Sequence, residues 1–231
     1  MKRFFIISLI LTATLSCSEE VSDLTLDQGY DFLPLQVGNF WTYQVEETVY
    51  EVFEPVTTTY ILKEVIVDSL VAGDGTVKYL INRYIGNTEV ELALDSVWAV
   101  RKTGRDAVFS ENNTDLVKLV FPVSVNKTWD GNAYNTRESQ EYYYESVDSY
   151  SLGDVSYTSS DAIRVIIEDI EQNLVNQDER SEVYLRNVGL VEKDYIQLSF
   201  CTVNCTQKGS EVGAIEKGRI LSQKLIVYGK E

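Results

Sequence analysis

The chain has 231 residues, so one domain, or at most a small pair, is expected. It carries 20 Lys+Arg against 36 Asp+Glu and no histidine, a formal net charge of −16. Such acidity repels phosphate backbones, which argues against nucleic acid as a partner. The missing histidine excludes Ser-His and Cys-His nucleophile systems and every His-ligated zinc or iron site. With 44% hydrophobic and 11% aromatic residues the chain can bury a core, so a globular fold is expected.

Lys2 and Arg3 form a charged head, followed at 4–11 by an apolar run of signal-peptide length, too short to span a bilayer. The segment ends at Thr14-Leu15-Ser16-Cys17. Small or aliphatic residues directly before a cysteine resemble the lipobox of bacterial lipoprotein signal peptides, with Thr14 where that pattern more often has Leu. The plainer alternatives are an ordinary cleaved signal peptide or a buried apolar strand. The lipobox resemblance implies cleavage before Cys17, diacylation of its sulfur and acylation of the new amine. Each buried CH₂ of such chains contributes ~0.8 kcal/mol, and several chains together give a stable membrane anchor.

The reading therefore divides the chain into a signal peptide over 1–16, a lipidated Cys17 with an acidic tether over 17–30, and a single β domain over 31–231. Cleavage removes two positive charges, leaving −16 − 2 = −18. Ser18, Glu19 and Glu20, with Asp23 and Asp27 beyond, resemble the export signal that sends Bacteroidota lipoproteins to the outer face of the outer membrane. Acidic tethers are also plain soluble spacers, so an outer-membrane anchor facing either the periplasm or the cell surface is the expected localisation.

Beyond the tether the apolar periodicity is two rather than 3.6, and only three prolines interrupt it. Strands are predicted at 41–46, 59–68, 77–84, 89–101, 107–110, 116–121, 140–150, 155–158, 181–186, 191–200 and 219–228. Turns are expected at Gly73-Asp74-Gly75, at 102–105, at Leu152-Gly153-Asp154 and at Asn176-Gln177-Asp178. Residues 162–174 carry a helix-cap signal at Ser160-Asp161, but alternating β-branched residues make a strand the expectation. The predicted fold is all-β: a largely antiparallel curved sheet, an open half-barrel or a sandwich, with little helix.

Setting Cys17 aside leaves Cys201 and Cys205, too few for a structural zinc site. Flanking a three-residue hairpin loop, they suit a local structural disulfide better than a redox pair, which favours C-x-x-C opening a helix. No metal or cofactor is expected.

One internal echo stands out. Pro34-Leu35-Gln36-Val37-Gly38-Asn39-Phe40-Trp41 shares its skeleton with Pro122-Val123-Ser124-Val125-Asn126-Lys127-Thr128-Trp129, at an offset of 122 − 34 = 88. Each proline follows a bulky apolar residue, Leu33 or Phe121. Proline suits the start of a strand, and Gly-Asn or Asn-Lys suits a turn, so both segments are expected to swing the chain into a strand that seats Trp41 or Trp129 in the core.

The first copy, extended to Tyr43, together with Asn187-Val188-Gly189-Leu190-Val191 and the closing stretch 220–225, is similar to a broad group of uncharacterised secreted proteins and lipoproteins frequent in Bacteroidota. They share a PLxVGNxWxY lead-in and a VGLV strand. The resemblance implies a curved antiparallel sheet or open half-barrel, and it carries over no functional residue beyond Cys17.

Candidate chemistry is thin. Glu168, Asp169 and Glu171 form a carboxylate cluster of the kind glycoside hydrolysis uses, or simply a solvated face. Asp74, Asp106, Asn112, Asn113 and Asp115 sit in expected loops but lack a calcium-loop spacing. In Tyr142-Tyr143-Tyr144 alternate residues share a face, so Tyr142 and Tyr144 are expected to pack across strands. Three function classes follow: a non-catalytic binding module for an apolar ligand or envelope partner, a surface glycan-binding or adhesion protein, and last a carboxylate-based hydrolase.

Overall fold

The computed structural model describes residues 27–73 and 75–231. The predicted signal peptide, Cys17 and most of the tether lie outside these residues, as does Asp74. The strands are β1 (Asn39–Glu51), β2 (Glu54–Val71), β3 (Val77–Gly86), β4 (Ala93–Lys102), β5 (Asp106–Glu111), β6 (Thr114–Val120) and β7 (Thr128–Asp130). They continue as β8 (Glu141–Ser146), β9 (Ser149–Leu152), β10 (Val155–Thr158), β11 (Ala162–Ile170), β12 (Asn176–Leu185), β13 (Gly189–Phe200) and β14 (Ile215–Lys230). Short 3-10 turns at Tyr30–Phe32 and Thr206–Lys208 are the helical elements among the described residues.

Twelve strands form one antiparallel sheet in the order β6-β5-β4-β3-β2-β1-β14-β13-β12-β11-β8-β7, and β9 pairs with β10. The sheet curls into a nearly closed barrel, so the all-β, largely antiparallel expectation holds. It reads as two six-stranded meanders, β1 to β6 and β7 to β14 with the β9–β10 hairpin inserted, joined where β1 pairs with β14. Trp41, Tyr43 and Val45 on β1, Leu62 and Ile66 on β2, and Val165 and Leu185 on β11 and β12 belong to one buried core.

Residues 162–170 form β11, as their β-branched run favours over a helix. The turn expected at 176–178 lies earlier, at 171–175: Asn173 Oδ1 accepts the amides of Val175 (2.9 Å) and Asn176 (3.0 Å), an Asx turn that outcompetes the later polar residues. The strand expected at 140–150 breaks before Ser149, and that expected at 89–101 begins only at Ala93. Ahead of β1, Asp27 pairs with Arg186, the Gln28 carbonyl accepts the Val123 amide at 3.0 Å, and Phe32 is buried, so this stretch packs on the barrel.

The internal echo is a pair of matching turns. Asn39 Nδ2 donates to the Pro34 carbonyl and Lys127 Nζ to the Pro122 carbonyl, each at 2.9 Å. The amides of Asn39 and Lys127 donate to Gln36 (3.0 Å) and Ser124 (3.1 Å). Gly38 (φ 91°) and Asn126 (φ 64°) both take the left-handed conformation, and their amides donate, each at 2.8 Å, to a carbonyl of the neighbouring strand, Ile66 or Tyr144. The prolines differ in that the Phe121–Pro122 bond is cis. Leu33, Leu35 and Phe121 fill the core end that these turns close.

Both tryptophans then reach out of their own strand. Trp41 Nε1 donates to Val188 O at 2.6 Å, and Tyr43 OH to Leu190 O at 3.1 Å, so the PLxVGNxWxY and VGLV motifs meet directly. Trp129 Nε1 donates to Val117 O on β6 at 2.8 Å. That bond belongs to a seam joining the two sheet edges. The Val117 amide donates to Gly131 O (2.9 Å), and Asn135 Nδ2 to Asp115 O (2.8 Å). Tyr144 OH accepts from Val120 N and donates to Val120 O, both at 2.9 Å. Tyr142 and Tyr144 share the buried face beneath Trp129, with ring centroids 6.0 and 4.6 Å from it, as their alternation requires. Gly131 is needed here because a Cβ would run into the Tyr142 ring.

Two substitutions test the seam. Gly131→Ala forces Tyr142 out of its packing and is expected to cost about 1–3 kcal/mol. Trp129→Phe removes one bond and strands the Val117 carbonyl, at about 1–2 kcal/mol. Urea denaturation of both variants checks these losses.

Candidate functional site

The barrel interior is charged rather than purely apolar. Lys118 and Glu182, with side chains 5% and 1% exposed, form an ion pair with Nζ 2.8 Å from Oε1. Lys193 Nζ lies 3.4 Å from the same oxygen, and Glu111 lies 3.6 Å from Lys118. Tyr195 OH donates to Glu182 Oε1 (2.6 Å) and Tyr184 OH to Oε2 (2.7 Å), so both carboxylate oxygens are satisfied. Such full satisfaction is what makes a buried ion tolerable.

The strands explain how these groups point inward. Ala107 pairs with Leu119 and Val108 with Val117, leaving Lys118 as the extra residue of a β-bulge. Bulges re-aim side chains, and this one turns a lysine into the barrel. A second bulge leaves Val191 unpaired between Val183–Glu192 and Tyr184–Leu190, close to Lys193 and Glu182.

Burial alone would raise the Glu182 carboxyl, but Lys118 and Lys193 overcome it and hold the group well below the usual carboxylate range. Burial likewise works against the Lys118 ammonium, and Glu111 and Glu182 more than offset it, so it stays charged. Burial first, then the Glu182 charge, push the Tyr184 hydroxyl far up, so it remains a donor.

Beside this cluster Arg83 pairs with Glu64 at 2.9 Å and lies 3.7 Å over the Trp98 ring. The buried Trp98 Nε1 has no hydrogen-bond partner among the described residues. Trp98, Lys118, Glu182 and Lys193 line a cavity of about 40 Å³. A water needs roughly 10–15 Å³ of such volume, so this space suits two or three waters. Ligand pockets of roughly 300–1,000 Å³ are an order larger.

The residues singled out from sequence fall elsewhere. Trp41, Trp129, Pro34 and Pro122 build the turns and the seam. Cys201 and Cys205 are joined with Cα atoms 5.8 Å apart, in a loop holding the 3-10 turn rather than a simple hairpin. Glu168 accepts from Gln140 Nε2 (3.0 Å) and lines a surface hollow together with Asp169, while Glu171 is exposed outside it. Asp106 accepts from Thr103 and Tyr134, and Asp115 from Ser110. Asn112 and Asn113, both at positive φ, form the two-residue β5–β6 turn. Among the described residues no cluster of acidic or thiol groups is arranged to hold a metal.

Sequence pattern alone does not single out the interior charges. Their signal is a single charge set in an apolar run: Lys118 within Leu116-Val117-Lys118-Leu119-Val120, and Glu182 just before Val183-Tyr184-Leu185.

No family model matches the chain, and no curated protein matches it. Among solved structures the chain is similar to a Bacteroides fragilis protein described as exported and as having a YmcC-like fold, at 11% identity and TM-score 0.41, over 85% of this chain and 98% of that one. It is similar to a Parabacteroides distasonis protein described as a lipoprotein, at 10% identity and TM-score 0.41, over 86% of this chain and 98% of that one.

Glu182→Gln leaves two ammonium groups facing a neutral amide and is expected to cost about 3–5 kcal/mol at neutral pH. Because the folded-state carboxyl lies low, its contribution is complete above the unfolded value of ~4.3 and is lost as pH falls below it. Urea unfolding should therefore show wild type losing stability more steeply than the variant below that pH; parallel profiles would remove the pair from the account.

Proposed function

We propose that this chain is a lipoprotein anchored to the outer membrane through Cys17, and that it acts as a non-catalytic envelope module whose partner binds outside the barrel. The observation that carries the reading is the filled interior, where apolar side chains and the paired charges together leave about 40 Å³ of space. An apolar ligand of ordinary size would have to displace side chains that already pack and pair with one another. Between Cys17 and Asp27 lie 27 − 17 = 10 residue steps. At ~3.5 Å per residue these reach at most ~35 Å, which keeps the barrel within reach of the bilayer. The anchor itself rests on the lipobox-like sequence before Cys17.

Two measurements test the proposal. Cys17→Ala should move the protein from the membrane to the soluble fraction, or leave it with an uncleaved signal; membrane retention of a cleaved variant would overturn the anchor. Native mass spectrometry of protein purified from its own envelope should show the acylated chain alone. A reproducible extra mass of lipid size would overturn exterior binding.

A further inference from the structure

The outer face of β3 to β6 carries a groove that the barrel's construction does not require. The segment 131–140 between β7 and β8 folds back over these strands and is held there by Tyr134 OH donating to Asp106 Oδ2 (2.9 Å) and Asn135 Nδ2 donating to Asp115 O (2.8 Å). Between segment and sheet lie two adjoining hollows of about 500 and about 380 Å³, which share Lys78, Ser110, Asp115 and Tyr134. These volumes fall in the range of ligand sites, unlike the interior cavity.

The groove's charge runs against that of the whole molecule. In a chain of net charge −16, Lys78, Arg101 and Arg137 converge here, and among the described residues none has a carboxylate within ion-pair distance. Lys78 and Arg101 sit directly opposite each other in the β3–β4 register, an arrangement that destabilises a sheet unless an anion offsets it. Asp115 is the one carboxylate among the lining residues, and it already accepts from Ser110. Arg101 lies 5.3 Å from the centre of the Tyr134 ring, which is 47% exposed.

The rest of the lining narrows the ligand. Ser110, Asn113, Thr114 and Thr136 offer hydroxyl and amide groups, and Tyr134 offers a ring against which the apolar face of a pyranose can stack. A peptide added as a strand is disfavoured, because the β6 edge is already occupied at Asp115, Val117 and Val120 by Asn135, Gly131, Trp129 and Tyr144. We propose that this groove binds a carboxylate-bearing oligosaccharide, with Arg101, Arg137 and Lys78 taking the carboxylates and Tyr134 stacking on a sugar ring. This deepens the exterior-binding reading by naming a ligand class, and it is independent of the lipid anchor.

The test is calorimetric titration of the full chain with oligomers of galacturonate, of mannuronate and of hyaluronan, beside a neutral galactose oligomer and inorganic sulfate. At least one acidic oligomer should bind, more weakly as salt rises, and at least about tenfold more tightly than the neutral one. Arg101→Ala and Arg137→Ala should each weaken binding by about tenfold to a hundredfold, the range for a charge-assisted hydrogen bond, with unchanged circular dichroism. Arg164→Ala, on β11 away from the groove, should bind as wild type. Binding of none of the acidic oligomers, equal binding of the neutral one, or full retention in the Arg101 and Arg137 variants would overturn the proposal. Displacement by sulfate at matched concentration would reduce the groove to a plain anion patch and overturn the saccharide assignment. Failure here with a soluble Cys17→Ala protein and a bare native mass would leave exterior binding and the anchor standing.

Discussion

The barrel depends on how its two sheet edges meet. A twelve-stranded sheet that stopped at β6 and β7 would expose a row of unpaired amides and carbonyls on each side. Here three side chains and one short backbone contact replace the missing ladder: Trp129, Tyr144 and Asn135 bond the β6 backbone, and Gly131 accepts the Val117 amide. Each such bond contributes only about 1 kcal/mol net, but leaving the groups buried and unpaired would cost about 1–3 kcal/mol apiece. Closure thus comes from side chains on the second meander reaching the last strand of the first. The matching Trp41 does the converse, binding the β12–β13 turn of the second meander from the first strand of the first.

Closure in turn decides what the interior holds. A nearly closed barrel either fills its centre with side chains or encloses a ligand chamber. In this chain bulky residues from the lead-in turns occupy one end, and the Lys118–Glu182–Lys193 cluster occupies the middle. Glu111 beside Lys118 completes the charge balance and both Glu182 oxygens are bonded, so the cluster is stable in place, and with the apolar side chains around it leaves about 40 Å³ free. What the molecule presents to its surroundings is therefore its outer face. That face is mostly acidic, with a cationic exception under the 131–140 segment.

Much of the fold is legible in the amino-acid sequence. Alternation on β1, the β-branched run of β11 and the turn residues at 152–154 identify their elements, because local propensity and tertiary packing agree there. The echo of Pro34 to Trp41 in Pro122 to Trp129 goes further, since the same residue types at the same offsets produce the same hydrogen bonds. The failures also have physical causes. The β1–β2 hairpin turns at Val52-Phe53, both at positive φ, where neither residue type signals a turn. In β2 the β-branched residues Ile61 and Val65 dominate the alternation, yet Leu62 and Ile66 are the ones that join the main core. The interior charges and the outer groove are illegible for a different reason: each assembles residues from strands far apart in sequence, and Lys118 enters the barrel only through a bulge that periodicity cannot reveal.

The most direct test of this account is amide hydrogen exchange on β6 in the intact protein. Closure predicts that the Val117 and Val120 amides, bonded to Gly131 O and Tyr144 OH, exchange as slowly as those of β1 in the sheet interior. Exchange at the rate of a free edge strand, with β1 protected, would contradict the seam and the closed interior that follows from it.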